Sequence, residues 1–323
     1  MDKRQQWHFW YWMVALAGRA VAEFRGARIR VEDIATEAVG GWLRENLNDF
    51  DAARGLRLTC MTKPGSPDLV DLFLRQHETG APLANDTSVG VGYTPLSELE
   101  RVVLAAEQHL NGPAFKQARP ETGEDIKVIG VRQGGGIKLI LSCTFTGRRL
   151  SGLAAYRHAR EALADEAART AQSLTIREVS ARVNRGDDID RGSVYLTIGG
   201  TSAECGDDGE VGGGNRSNGL ITPFRPMTID AMAGKNPITH VGKLYSAAAI
   251  RLARRAVDEQ PEIRICECVL VNEMGRPVHQ PLFARPAIGT EDGGLPSGVR
   301  DIAEVEIASI VGLWRDFLTD GVC

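Results

Sequence analysis

Between residues 199 and 243 the chain gathers the side chains best suited to chemistry on an anion. The stretch opens Gly199-Gly200-Thr201-Ser202-Ala203-Glu204-Cys205-Gly206-Asp207-Asp208-Gly209 and continues Val211-Gly212-Gly213-Gly214-Asn215-Arg216-Ser217-Asn218-Gly219. Gly234-Lys235-Asn236-Pro237 and His240-Val241-Gly242-Lys243 close it. Glycines let the backbone approach a phosphate and turn its N–H groups toward the oxygens. Lysine and arginine balance polyphosphate charge. Carboxylates beside them could hold Mg²⁺, a hard cation that prefers oxygen ligands. The stretch therefore reads as a site for a nucleotide polyphosphate with a metal. A solvent-exposed glycine loop with surface charges is the competing reading. No Gly-Lys-Ser/Thr closes the loop as in a P-loop, and no G-x-G-x-x-G follows a strand.

A second cluster is Asn85-Asp86-Thr87-Ser88, followed by Gly90 and Gly92. An amide, a carboxylate and two hydroxyls in four residues could recognise a ribose or an amino group. An Asx-type turn leading into a helix is the alternative. His8, His77, His109, His158 and His279 are isolated and read as surface or core residues; His240 differs because it lies between Lys235 and Lys243.

The elements that must position these groups follow from periodicity. Ile34, Val39, Trp42, Leu43 and Leu47 mark an amphipathic helix, and residues 56–61 a strand ending at the turn Pro64-Gly65-Ser66-Pro67. Thr94-Pro95 reads as the cap and first-turn proline of a helix that buries Leu96, Leu99, Val103 and Leu110. Residues 126–131 and 137–145 form a hairpin about Gln133-Gly134-Gly135-Gly136, and 151–172 a helix. Strands are expected at 174–183 and 194–198, a helix at 241–257, and a hairpin of 264–271 with 278–284 about Met274-Gly275. A final helix carries Ile302, Val305, Ile310, Leu313, Trp314 and Phe317. Strands followed by helices, more than once, define an α+β fold of repeated α/β subdomains, with mixed or antiparallel sheets packed by helices.

Composition sets the bounds. The chain has 323 residues, 43% hydrophobic and 25% charged, enough for a substantial core. A net charge of -4 argues against a nucleic-acid binder held by a basic face. Six cysteines, including Cys266-Glu267-Cys268, have no second ligand pair at zinc spacing, so they read as structural thiols in a reducing compartment. The apolar run from Trp7 to Leu16 is too short to span a membrane and is rich in aromatics; a buried strand or aromatic plug is favoured over a cleaved signal. A cytoplasmic protein is expected.

At the two polar clusters the chain resembles the archaeal-type methionine adenosyltransferases. The matching stretches are Gly65-Ser66-Pro67-Asp68-Leu69-Val70, residues 82–93, Gly123-Glu124-Asp125-Ile126-Lys127-Val128, residues 200–227, and Gly234-Lys235-Asn236-Pro237 through Lys243. They occur in the family's order and span about residue 18 to the C-terminus. The resemblance implies an S-adenosylmethionine synthetase-like fold with approximate units 18–112, 113–190 and 191–323, after a divergent aromatic segment 1–17. It implies a dimer with active sites between subunits, with ATP and L-methionine as substrates. The methionine sulfur would attack the ribose C5′; tripolyphosphate would leave and be hydrolysed to pyrophosphate and phosphate, with Mg²⁺ and K⁺ neutralising charge. Lys127, Arg216, Lys235 and Lys243 would hold phosphates, with His240 nearby, as the catalytic set. Asp86 would contact methionine or ribose, Asp207 and Asp208 the substrate or metal. Asp68, Asn85, Thr87, Ser88 and Asn215 complete the substrate-binding candidates.

Two departures bear on activity. No His-Pro-Asp occurs in the chain, although the family uses that histidine at the leaving phosphate and that aspartate for Mg²⁺. Gly213 stands where the family usually has an arginine. Three readings compete: an active adenosyltransferase, a nucleotide-binding homologue that partners a full-length paralogue, or an adenosyltransferase using another nucleophile.

Overall fold

The structure, a computed structural model, describes residues 12–47, 55–205, 215–291, 293–294 and 296–319. These residues divide into two compact units. One draws on Met1–Pro64 and Ser97–Asp208, the other on Gly65–Leu96 and Gly209–Cys323. Residues 65–96 thus pack with chain that follows more than a hundred residues later.

In the first unit, β1 (Trp12–Arg19) pairs in parallel with β4 (Leu56–Lys63), beside the short ribbon β2 (Glu23–Phe24) and β3 (Ala27–Arg28). Helix α1 (Val31–Asn46) buries Ala35 and Leu43. The aromatic run is thus a strand from Trp12 onward, but Met13 is 80% exposed, so that part is not the buried strand expected. Trp7 to Tyr11 lie outside the described residues.

The larger sheet of this unit runs β6-β7-β8, with β9 also on β7. Strands β6 (Thr122–Gln133) and β7 (Gly136–Thr146) form the expected hairpin, and Gly134 takes the left-handed conformation its turn requires. Ile137, Leu139, Leu141, Cys143 and Phe145 alternate inward along β7. They meet Val102, Ala106 and Leu110 of α3 (Glu98–Asn111), Phe115 of α4 (Pro113–Ala118), and Tyr156, Leu163 and Ala167 of α5 (Leu153–Gln172). Helix α5 returns the chain so that β8 (Glu178–Val183) and β9 (Leu196–Thr197) lie parallel to β7.

The second unit is a three-stranded antiparallel sheet, β11-β10-β5, of β5 (Ser88–Thr94), β10 (Ile263–Asn272) and β11 (Phe283–Thr290). Helix α6 (Val241–Glu259) lies on it and buries Leu244, Tyr245, Ala248, Ala249 and Leu252 against Cys266, Cys268 and Leu270. Helices α7 (Gly298–Ser309) and α8 (Trp314–Thr319) add Val299, Ile302 and Phe317 to this core. Cys266 and Cys268 share the inner face, as two residues apart on a strand must. Burial pushes their thiols up to about 11 and about 12, which makes them core residues and poor nucleophiles.

Several elements differ from the sequence reading. The helix expected at Thr94-Pro95 begins at Glu98, because Ser97 and Glu100 form a capping box while Thr94 stays in the ladder with Cys266. The turn at 64–67 instead opens an unanticipated helix, α2 (Pro67–Thr79), with proline in its first turn and left-handed Gly80 at its end. Residues 88–94 are a strand rather than a turn into a helix. The expected strand 174–183 starts only at Glu178, since the Gln172 side chain holds the carbonyls of Thr175 and Arg177 in a turn. The partner of β10 is residues 283–290, not 278–284. Before reaching it the chain runs beside 82–84, with Ala84 N donating to Arg276 O at 2.8 Å and Val278 N to Pro82 O at 3.0 Å. The last helix is broken by a 3₁₀ turn at Ile310–Gly312.

Among the described residues no helix is long and apolar enough to cross a membrane.

Gly90 and Gly92 of β5 face α6 so closely that a Cβ on either would overlap helix backbone at Tyr245–Ser246 or Ala249–Ile250. Neither helix nor sheet can give way without disturbing the core of the unit. Gly92→Ala should therefore destabilise the protein by about 2–3 kcal/mol, the upper range for overpacking. Urea unfolding of the variant against the parent checks it; equal midpoints would contradict the close contact.

Candidate functional site

Three pieces of the second unit converge at the N-terminus of α6. The first is the loop 85–88. It is held through Asn85 N, which donates to Thr239 O at 3.1 Å, and Thr87 Oγ1, which accepts from Met274 N at 3.1 Å. The second is the turn 234–240, in which Asn236 Oδ1 accepts from the N–H groups of Ile238 and Thr239. The third is residues 228–232, which bring Asp230 inward.

Their side chains meet. Ser88 Oγ donates to Asp230 Oδ2 in a short hydrogen bond. Lys235 Nζ lies 3.4 Å from Asp230 Oδ1, both side chains nearly buried. His240 Nε2 lies 3.6 Å from Asp86 Oδ2; the histidine is 8% exposed and the aspartate open to solvent. Among the described residues, His240 Nδ1 and Asn85 Oδ1 are buried without a hydrogen-bond partner. A buried polar atom left unsatisfied costs free energy, and at a binding site its missing partner is often the ligand. His240 is the N-cap of α6 but makes no capping bond through its side chain. Helix N-termini attract anions through their unsatisfied N–H groups and dipole.

Of the residues singled out from sequence, Asn85, Asp86, Ser88, Lys235 and His240 come together here. Thr87 serves the loop. Arg216 is nearby in chain terms but engaged: its Nε donates to Thr228 O at 2.7 Å, so it steadies the segment that carries Asp230. Lys243 is 3% exposed with its ammonium 5.1 Å from the Phe317 ring centre, a position inside the unit rather than on an open surface. Asn215 is exposed, and Asp68 is exposed in the first turn of α2. Asp207, Asp208 and Gly213 lie outside the described residues. Lys127 belongs to the first unit; on β6, well exposed, it lies 3.8 Å from Asp125.

Lys127 stands beside a tightly made crossing. Gly200 O accepts from Glu124 N at 2.8 Å and from Thr144 Oγ1 at 2.6 Å, and Ser202 Oγ donates to Asp125 at 2.7 Å. A side chain at Gly123 would overlap Gly200 and Thr144. The start of the glycine-rich stretch is thereby pinned to the strand that carries Lys127. Buried Lys116 donates to Gly123 O in a short bond and lies 3.8 Å from Glu124. Burial lowers its pKa, partly offset by Glu124.

Asp230 and Lys116 were missed by sequence reasoning. Asp230 stands in Thr228-Ile229-Asp230-Ala231, with no glycine or second charge to mark it, and its role depends on a partner 142 residues away. Lys116 follows Phe115 in a short helix and looks like a surface lysine.

Comparisons with known proteins show the family to which the chain belongs. The family model described as S-adenosylmethionine synthetase (AdoMet synthetase) matches residues 11–321. The probable S-adenosylmethionine synthase of Aquifex aeolicus is 42% identical over 308 residues, which cover 94% of this chain and 77% of that protein. The S-adenosylmethionine synthase of Methanothermobacter thermautotrophicus is 42% identical over 306 residues, 92% of this chain and 76% of that one. A solved structure, titled as an unusual S-adenosylmethionine synthetase from Campylobacter jejuni, shares the fold with a TM-score of 0.58. It is 12% identical, over 94% of this chain and 79% of that one. The fold is an α+β one in which Asp86, Ser88, Asp230, Lys235 and His240 meet at the N-terminus of α6. The chain belongs to the S-adenosylmethionine synthetase family.

Burial, and secondarily Lys235, lowers the pKa of His240, while Asp230 and Asp86 oppose the shift. The folded pKa lies below the ordinary 6.5, so the unfolded chain takes up the proton first. The stability due to neutral His240 is complete above about pH 6.5 and is lost as pH falls through the folded value. NMR titration should place the His240 midpoint below 6.5, and His240→Gln should flatten the loss of stability on the acid side. A midpoint above 6.5 would contradict a desolvated imidazole.

Proposed function

We propose that this chain is a methionine adenosyltransferase, forming S-adenosylmethionine from ATP and L-methionine with release of phosphate and pyrophosphate. The observation that carries the reading is the family match over residues 11–321. The convergence of Ser88, Asp230, Lys235 and His240 at the N-terminus of α6 supports it.

The reaction joins a soft nucleophile, the thioether sulfur, to the ribose C5′ as the tripolyphosphate leaves. The protein's task is to hold the two in line and to stabilise charge gathering on the departing oxygens. Lys235 supplies a compact ammonium at a nearly dry position, where its charge acts more strongly than in water. Neutral His240 offers one buried ring nitrogen that has no partner among the described residues and, where it carries the proton, can donate to a phosphate or ribose oxygen. The buried Asn85 Oδ1 can accept from an amino group. Asp86, exposed beside His240, is the carboxylate open to a substrate ammonium or to a metal on the phosphates.

Among the described residues no group of three histidines, cysteines or carboxylates could hold a metal alone. Mg²⁺ is proposed to arrive on the polyphosphate, where it keeps phosphate and water ligands and takes one or two protein carboxylates. Asp86 suits that part. Mg²⁺, when bound, would neutralise phosphate charge; K⁺ is proposed beside it. A homodimer is proposed as well. Its support is apolar surface on the open face of the first unit's sheet, where cross-strand partners Ile129 and Ile140 are both exposed.

The test is a turnover assay with ATP, methionine, Mg²⁺ and K⁺, read by mass spectrometry for S-adenosylmethionine and by phosphate analysis. Product formation is expected. ATP binding without product would overturn the transferase reading and favour a nucleotide-binding homologue. Lys235→Ala should weaken ATP binding by roughly 10–100-fold, the loss of one charge-assisted contact. An unchanged dissociation constant from calorimetry would remove Lys235 from the phosphate site.

A further inference from the structure

Asp230 is the nearly buried carboxylate of the cluster, set beside Lys235, the Ser88 hydroxyl and the helix N-terminus. Its carboxylate is nearly buried, accepts from Ser88 Oγ and faces Lys235 Nζ at 3.4 Å. It also lies against the first turn of α6: a Cβ on Gly242 would overlap it, so glycine at that position leaves the space the carboxylate fills. Beside it, His240 is 8% exposed with Nδ1 unpartnered, a ring nitrogen that the carboxylate does not satisfy.

A carboxylate at a helix N-terminus, paired with a lysine and a serine hydroxyl, makes the contacts that one edge of a phosphate group would make there. We propose that Asp230 is an internal competitor for the polyphosphate: it occupies the anion seat made by Lys235, Ser88 and the first turn of α6, and yields that seat when phosphate binds. The proposal rests on the phosphate reading given under Proposed function and adds to it a residue outside the cationic set. Its consequence is kinetic. A desolvated site of uncompensated cations would hold a multiply charged leaving group tightly and release it slowly. A carboxylate that returns to Lys235 lowers the affinity for the anionic product and speeds its departure. Before binding, it keeps the Lys235 ammonium positioned and compensated in a nearly buried place.

The experiment compares the parent with Asp230→Asn, which keeps the shape and can still accept from Ser88. Tripolyphosphate is the calorimetric probe, and turnover is measured in parallel. Asp230→Asn should bind tripolyphosphate about tenfold more tightly and lower kcat, with KM for ATP falling as well. In a Lys235→Met background the same substitution should leave tripolyphosphate affinity unchanged, because the competition acts through Lys235. Equal or weaker binding by Asp230→Asn, when the parent binds, would overturn the competitor and leave the phosphate site standing. So would tightening that persists without Lys235. No binding by either protein would contradict the phosphate site itself, and the competitor with it. If Asp230→Asn does not fold, Asp230→Ala removes the carboxylate while leaving Lys235 and Ser88 in place and should tighten tripolyphosphate binding about tenfold; weaker or unchanged binding would count against the proposal.

Discussion

Two strand glycines bring α6 down onto β5 until helix and strand backbones nearly touch. A side chain at Gly90 or Gly92 would lift the helix off the sheet. With both absent, the N-terminus of α6 stands beside the loop 85–88 that leads into β5, and Ser88, the first residue of the strand, reaches Asp230. The chemistry attributed to this unit depends on that closeness. Lys235 and His240 lie in the turn just before the helix, so the register of helix against strand sets where their polar atoms meet Asp86 and Ser88.

The same constraint accounts for the electrostatics. Water is excluded where the helix end, the loop and residues 228–232 close together. Burial then disfavours a charged His240. Lys235 and Asp230 face each other at 3.4 Å, a pair of opposite charges in a nearly buried place. In the first unit the corresponding device is the crossing of Gly123 and Gly200. There carbonyl and hydroxyl contacts pin the glycine-rich stretch to β6, and a buried lysine holds the strand from behind.

Much of this was legible in the sequence. The hairpin of 126–131 with 137–145, the helix 151–172 and the helix 241–257 were visible in apolar runs, turn glycines and helix-forming composition, and each forms at nearly those bounds. The Asn-Asp-Thr-Ser cluster and the segment from Lys235 to His240 stood out by residue type, and the fold brings them side by side. Other features were not legible, for identifiable reasons. Helix α2 carries a cap serine and a first-turn proline, yet its opening Pro-Gly-Ser-Pro also reads as a turn. Strand β11 was misplaced because Val278 belongs to a strand-like stretch that pairs with 82–84 instead. The resemblance implies a phosphate role for Lys243; that its side chain is buried with the ammonium 5.1 Å from the Phe317 ring centre is a tertiary fact no local pattern shows. Asp230 has no local signature at all; only the tertiary fold places it on Ser88, 142 residues away.

The central claim is that the N-terminus of α6 and the loop 85–88 form one anion site. Hydrogen exchange of the backbone amides, with and without tripolyphosphate, addresses it directly. Slowed exchange in both 85–88 and 240–243 on adding the anion is the predicted result. Protection confined to other segments, or none, would contradict it.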